Sequence, residues 1–213
     1  MKKNWKPVLL FLPLVILSQA GCEIEGYPFY LARDELNISL VIDRSGSMAD
    51  EPIANARKAS KAVVDELNEN DIISVVIFSD IGSVLVEADH VTDKTEIKET
   101  IDTLGAGGGT VVSAGLSLGY DQIESNFSPE LENTCLLICD GDVDERAVTL
   151  AEEAYSDGIL TSTIAIGEDA DTENLKNVAD EGHGAVYVVE DSADLTDVFR
   201  EEIEDLLCPI ELE

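Results

Sequence analysis

Three oxygen-bearing side chains occupy alternate positions on one short loop near the start of the chain. Asp43, Ser45 and Ser47 follow the apolar strand predicted at residues 38–42. One carboxylate and two hydroxyls, without histidine or cysteine among them, suit a hard cation such as Mg²⁺, Mn²⁺ or Ca²⁺. The same residue types also favour a turn or a helix cap, so this loop alone leaves both interpretations open.

Two more segments carry oxygen ligands to the same predicted edge of a sheet. Thr110 follows the glycines at 107–109, and Asp140 follows the apolar residues 136–139. Parallel strands place their carboxyl ends on one edge, where open α/β sheets bind ligands. We therefore expect Asp140 and Thr110 to meet the first loop. The combined set is two carboxylates and three hydroxyls, which leaves a position that an external carboxylate could fill.

Alternating strand and helix patterns predict the scaffold for these loops. Apolar runs predict six strands, and residues with helical spacing separate most of them. The class is therefore α/β, a doubly wound, mainly parallel sheet with helices on both faces. The short turn at Ser79–Gly82 makes one edge strand antiparallel. The predicted strands are Ile38–Asp43, Ile72–Phe78, Ser83–Glu87, Cys135–Cys139, Leu160–Ile166 and His183–Val189, and the predicted helices begin near 52, 93, 111, 145, 172 and 192.

The first residues have the pattern of an export signal. Three lysines precede an apolar stretch at 7–17, and Ser18-Gln19-Ala20 offers small residues for cleavage after Ala20. That stretch is about half of the roughly 20 residues needed to span a bilayer. We expect a signal peptide at 1–21, a lead-in at 22–36, one domain at 37–208 and a tail at 209–213.

The charge of the chain is strongly negative. The formal net charge is −32, and all acidic residues lie after residue 21. Such a field repels nucleic acid and anionic lipid, so neither is expected as a partner through a basic surface. An acidic surface also keeps a protein soluble, and we take solvation as the main meaning of the bulk charge.

Four cysteines give no zinc or redox spacing. Cys135 and Cys139 are about 13 Å apart along one strand, beyond the about 7 Å that a disulfide spans, so they are expected to be small buried residues. Cys22 and Cys208 flank the domain and could pair. Alternatively, Cys22 after Ala20-Gly21 resembles the acylated cysteine of bacterial lipoproteins, although Gln19 departs from that pattern.

The three segments together resemble a von Willebrand factor type A (VWA) domain with a complete metal-ion-dependent adhesion site (MIDAS). Asp43, Ser45 and Ser47 match its first loop, Thr110 its threonine, and Asp140 its last aspartate. The resemblance covers about residues 36–207. It implies a Rossmann-like fold, in which the hydroxyls bind the cation directly and the aspartates often bind through water. It also implies that a partner's Asp or Glu completes the cation's ligand set.

These patterns predict an exported, non-enzymatic module of the cell envelope or exterior. It would hold one divalent cation, Mg²⁺ above Mn²⁺ or Ca²⁺, that bridges to a partner's carboxylate. Membrane attachment is expected only through a lipid on Cys22. A cation that merely stabilises the fold, or a subunit of a larger complex, are the alternatives. Pairing with a cytoplasmic ATPase is disfavoured by the signal segment.

Enzyme interpretations have less support. Asp140 and Asp142 resemble the nucleophile loop of haloacid-dehalogenase-type phosphatases, but that family places the loop near its N-terminus. The glycines at 105–109 lack the Gly-Lys-Ser/Thr of a phosphate-binding loop, and no activated nucleophile accompanies His90 or His183. Asp142 and Asp144 could bind a second cation, or begin the next helix as solvated carboxylates.

Overall fold

The computed structural model describes residues 35–141, 143–167 and 170–189, and before them only the backbone of three short strands. These strands are β1 (Val15–Ser18), β2 (Gly21–Ile24) and β3 (Tyr30–Leu31), in one antiparallel sheet. β3 and all but the first residue of β2 lie in the segment 22–36, which was expected to be a lead-in. The predicted cleavage after Ala20, Asp142, the helix from residue 192 and Cys208 fall outside the described residues.

Residues 34–213 form the larger of two compact units, and its described part contains a six-stranded sheet. The strand order is β6-β5-β4-β7-β8-β9, parallel except for the antiparallel edge strand β6. This confirms the predicted fold class and the antiparallel edge. The strands are β4 (Leu36–Asp43), β5 (Ile72–Phe78), β6 (Gly82–His90), β7 (Glu132–Cys139), β8 (Leu160–Ile166) and β9 (His183–Val189).

Helices cover both faces of this sheet, as predicted. The helices α1 (Glu51–Glu66) and α2 (Lys94–Asp102) bury their apolar residues in a cluster on one face. On the other face lie α3 (Val112–Glu124), α4 (Glu145–Ser156) and α5 (Thr172–Glu181). The central strands β4 and β7 are buried almost throughout, which explains why the run Cys135–Cys139 of β7 is apolar without alternation.

Helix α3 packs unusually close to the middle of the sheet. A Cβ atom on Gly119 would lie 2.5 Å from Val41, and one on Gly115 would lie 2.5 Å from Phe78. Glycine at these two positions lets the helix axis approach β4 and β5, and α3 begins just after Thr110. The packing of α3 in the core therefore helps to fix the position of the loop at residues 105–111, called the threonine loop below.

The edge strand β6 extends beyond its predicted bounds at Ser83–Glu87. Its pairing with β5 shifts register twice, after Ile73 and after Val75. These irregularities interrupt the alternation of apolar and polar residues, so the pattern marked only the first part of the strand. No helix in the described part of the chain is long and apolar enough to span a membrane.

Candidate metal centre

The register of β4 and β7 brings the two predicted aspartates to one edge of the sheet. The strands are parallel neighbours, with Ile42 opposite Ile138. Asp43 is therefore level with Cys139, and Asp140 comes one residue later on the loop that leaves β7. Asp43 is fully buried, whereas Asp140 is half-buried. The pair forms a carboxylate cluster that opens toward solvent on the Asp140 side.

The loop after β4 folds back on its own aspartate. The Ser45 backbone N–H donates to Asp43 Oδ1 at 2.6 Å, and the Ser45 and Ser47 hydroxyl oxygens lie 2.9 Å apart. Ser45 is buried and Ser47 is exposed. The two hydroxyls therefore extend in a short row from the buried carboxylate to the surface. A cation bound along this row would be accessible to an external ligand.

Cys139 contributes a sulfur atom to the same cluster. Its Sγ donates to Asp43 Oδ2 at 3.3 Å and accepts from the Gly141 backbone N–H at 3.2 Å. One ligand atom each from Asp43, Cys139 and Asp140 lies within 4.8 Å of the others. Cys139 is buried and forms no disulfide, as expected. Its contact with Asp43 was not predicted, and its place directly before Asp140 was the one available signal.

The electrostatics of the cluster favour a positive charge. Burial raises the pKa of Asp43, hydrogen bonds from Ser45 lower it, and the nearby Asp140 raises it further. Burial also raises the pKa of the Cys139 thiol well above its usual range. Among the described residues, no ion pair involves Asp43 or Asp140. The residues present therefore fit a divalent cation, since two close carboxylates lack a basic side chain to offset their charge.

The threonine loop is fastened to the loop after β4 by three hydrogen bonds. The Gly46 N–H donates to Gly108 O at 3.0 Å, and the Gly107 N–H donates to Arg44 O at 2.7 Å. The Arg44 Nε donates to Gly105 O at 2.9 Å. These bonds hold the segment before Thr110 against the loop that carries Ser45 and Ser47, and Thr110 itself is half-buried.

A third loop, the turn between β5 and β6, holds the other side of the threonine loop. Asp80 Oδ2 accepts from the Gly109 N–H at 3.0 Å, and Ser79 O accepts from the Val111 N–H at 2.8 Å. Thr110 lies between these two anchored residues. The sequence pattern predicts only a hairpin turn at Ser79–Gly82 and does not reveal this contact, because it joins residues 29 positions apart.

Asp144 stands at the N-cap position of α4, as the helix-start interpretation expected, but its carboxylate bonds to another helix. Its Oδ2 accepts from the Ser113 N–H at 2.9 Å, in the first turn of α3. The carboxylate thus caps α3, a different helix from the one that Asp144 begins, and the second-cation interpretation stays a prediction. On the adjacent stretch, the Asp171 N–H donates to Asp140 O at 3.0 Å, which ties the Asp140 loop to α5.

Comparison with known proteins assigns the family. Residues 37–201 match the von Willebrand factor type A domain, and the chain belongs to this family. It is 27% identical over 170 residues to the protein sll0103 of Synechocystis sp., across 78% of this chain and 40% of that one. The chain spans less than half the length of the curated relatives it matches.

Solved structures show the same fold at low sequence identity. A von Willebrand factor type A structure from Catenulispora acidiphila superposes with a TM-score of 0.73 at 22% identity, across 82% of this chain and 43% of that one. Proximal thread matrix protein 1 from the mussel byssus, with a zinc-occupied MIDAS motif, gives a TM-score of 0.66 at 18% identity, across 81% and 46%. These likenesses support the fold and the strand order.

Proposed function

We propose that this chain is a cation-dependent protein-binding module. Ser45, Ser47 and Thr110 would hold a divalent cation directly, and Asp43 and Asp140 would hold it directly or through water. The observation that carries the proposal is the cluster at the sheet edge, where Asp43 and Asp140 approach within 4.8 Å beside two hydroxyls 2.9 Å apart. Oxygen ligands dominate this set, which favours Mg²⁺ as the resident ion.

The partner would present an Asp or Glu carboxylate to the cation. The protein set leaves at least one position to water or to an external ligand, and exposed Ser47 and half-buried Asp140 line the open side. A chain with a net charge of −32 repels carboxylates over most of its surface. The cation therefore creates a locally favourable place for an acidic side chain, and binding should depend on it strictly.

The place of action would be outside the cytoplasm. The lysines and apolar run of the first 20 residues have the pattern of an export signal. Cys22 would carry a lipid or pair with Cys208, and in either case the domain meets its partner in the cell envelope or outside the cell. Mass spectrometry of the mature N-terminus distinguishes an acylated Cys22 from a free or disulfide-bonded one.

We assign no catalytic activity. The family match over 37–201 favours an adhesion-type site over the phosphatase interpretation of Asp140 and Asp142. His90 and His183 are both exposed, and the described contacts of His90 are with Asn70 O and Asp89, remote in the chain from the cluster. Neither histidine is thus placed to act as a base at Asp43.

A cation titration tests the proposal. At about one hundred times its Kd, a ligand stabilises the fold by about 2.7 kcal/mol, which raises Tm by about 5–10 °C for a chain of this size. We expect such a shift with Mg²⁺ or Mn²⁺ relative to chelator, and none in Asp43→Ala. A wild-type chain that shows no shift with Mg²⁺, Mn²⁺ or Ca²⁺ has no such site.

The bridging step needs a separate measurement. Bound Mn²⁺ enhances the relaxation of water protons, and acetate, used as a carboxylate probe, should reduce that enhancement by displacing a bound water. If the cation only stabilises the fold, the Tm shift is present but acetate leaves the relaxation unchanged. That result would keep the metal site and remove the proposed role in partner binding.

A further inference from the structure

We propose that Cys139 is a cation ligand, and that the site therefore binds Zn²⁺ and similar borderline cations more tightly than Mg²⁺. The proposal deepens the proposed function, because it uses the same site and rests on its binding a cation. It adds a sulfur ligand to the five oxygen ligands that the sequence predicted. The site would then have two modes of cation binding, one through oxygen ligands alone and one that includes the Cys139 sulfur.

The distance between Cys139 Sγ and Asp43 Oδ2 is close to the separation of two ligand atoms of a zinc ion. With a Zn–S bond of about 2.3 Å and a Zn–O bond of about 2.1 Å, tetrahedral geometry separates sulfur from oxygen by about 3.6 Å. Cys139 Sγ lies 3.3 Å from Asp43 Oδ2. The Asp140 oxygen is within 4.8 Å of both, so an approach of about 1 Å completes three ligands.

The fourth position falls on the open side of the cluster. Ser45, Ser47, water or a partner's carboxylate could each fill it, since the row of hydroxyls starts at Asp43. Three protein ligands with one open position is the usual arrangement of a zinc site that must admit another group. The sulfur ligand is therefore compatible with the bridging function proposed above.

A sulfur ligand strengthens the binding of some cations more than that of others. Thiolates favour Zn²⁺ and other borderline or soft ions, whereas Mg²⁺ and Ca²⁺ favour oxygen. On binding, the metal forms a bond to Sγ and the thiol proton leaves to solvent, so one proton is released for each ion bound. The Gly141 N–H, which donates to Sγ at 3.2 Å, remains in place to support the sulfur's negative charge.

Cys135 shows that not every buried cysteine on this strand is placed in this way. It lies four residues earlier on the same face of β7 and is equally buried. Its neighbours there include Ser39 in the paired strand and Gly119 of α3, and no carboxylate accompanies it in a metal-binding group among the described residues. Cys135 is therefore a matched control for Cys139, with the same chemistry, strand and burial.

Cobalt reports thiolate ligation directly. Co²⁺ should be titrated into the full chain carrying Cys22→Ser and Cys208→Ser, so that only the two cysteines of β7 remain. We expect an intense near-ultraviolet thiolate-to-cobalt charge-transfer band that saturates at one equivalent. The band should persist in Cys135→Ser and disappear in Cys139→Ser.

Competition gives the second measurement. Cys139→Ser should lose at least about tenfold more affinity for Zn²⁺ than for Mg²⁺, whereas Cys135→Ser should leave the ratio of the two affinities unchanged.

The failures of the two proposals are distinguishable. If Co²⁺ and Mg²⁺ raise Tm but only weak oxygen-ligand absorption appears, Cys139 is not a ligand and the oxygen site stands. If the charge-transfer band survives in Cys139→Ser, the inference is likewise wrong. If no cation binds to the wild-type chain at all, both the proposed function and this inference are wrong.

Discussion

Two aspartates of the domain are equally buried but have different surroundings. Asp43, at the end of β4, and Asp71, just before β5, are both 0% exposed. Asp71 accepts one backbone N–H on each oxygen, from Leu36 at 3.0 Å and from Asn68 at 2.7 Å. Asp43 accepts a backbone N–H on Oδ1 and the Cys139 thiol on Oδ2, and its only backbone donor in the described contacts is Ser45.

The difference separates a structural carboxylate from one suited to a cation. Asp71 joins the start of β4 to the turn before β5, and both of its oxygens have backbone donors. Asp43 has a weaker second donor and a second carboxylate, Asp140, nearby, and its burial raises its pKa. Burial alone therefore does not identify a functional aspartate, whereas the donors and charges around it do.

Removing the structural carboxylate should have the largest effect on the fold. Asp71→Ala leaves the Leu36 and Asn68 N–H groups without this acceptor, at about 1–3 kcal/mol for each buried group. We expect a loss of about 3 kcal/mol in the free energy of unfolding, measured by urea denaturation in chelator. Asp71→Asn, which keeps one carbonyl oxygen, should lose about half as much.

Cation binding should be unaffected by substitution of Asp71. A folded Asp71→Asn protein should show the same cation-induced rise in Tm as wild type, because Asp71 lies before β5, at the opposite end of the sheet from Asp43. If Asp71→Asn folds and loses the cation response, the two aspartates are coupled. The separation of structural from cation-binding carboxylate would then be wrong.

The opposite result is expected for Asp43→Asn. Because the folded pKa of Asp43 is raised, its charged form destabilises the metal-free protein above that pKa, and this cost disappears as the pH falls through it. A neutral amide keeps an oxygen for the Ser45 N–H. In chelator at neutral pH we expect Asp43→Asn to be as stable as wild type or up to about 1 kcal/mol more stable, with no cation-induced rise in Tm.

A loss of stability in chelator would contradict this comparison. If urea denaturation shows that Asp43→Asn is destabilised as much as Asp71→Asn, then Asp43 is chiefly structural. The pH dependence offers a further check, since wild type in chelator should gain stability relative to Asp43→Asn as the pH is lowered. A parallel pH dependence for the two proteins would show that Asp43 does not carry this cost.

The fold was predictable because its signals are local. The strands Ile72–Phe78, Leu160–Ile166 and His183–Val189 were predicted with the bounds that the structure gives, since apolar runs between turn residues have few alternatives. The helix start predicted near residue 93 is also present, where the Asp93 side chain accepts from the Thr95 and Glu96 N–H groups. Parallel pairing then placed Asp43 and Asp140 at one edge.

The rest of the site was not predictable because it depends on contacts between distant segments. The Cys139 contact with Asp43 spans 96 positions, and those of Asp144 and Asp80 span 31 and 29. Each requires the strand register and the loop path to be known within about one hydrogen-bond length. The sequence pattern predicts which residues lie at this edge of the sheet. It does not predict which of their atoms are in contact.

The smallest effect is expected at Asp80, which is exposed and acts through its hydrogen bond to the Gly109 N–H. Asp80→Ala should cost about 0.5–1.5 kcal/mol of stability and lower Mn²⁺ affinity by about tenfold, because Thr110 loses part of its support. Asp80→Asn keeps an acceptor oxygen and should recover most of that affinity. These results would make Asp80 a positioning residue for Thr110 and not a ligand.

A double-mutant cycle with Thr110→Ala separates positioning from charge. If Asp80 acts through Thr110, its substitution should cost little further Mn²⁺ affinity once the threonine hydroxyl is absent, so the two losses are not additive. Asp102→Ala removes an exposed carboxylate that pairs with Lys61 and should leave Mn²⁺ affinity nearly unchanged. Additive losses, or an equal loss in Asp102→Ala, would mean that Asp80 contributes only negative charge, and the third loop would then lie outside the cation site.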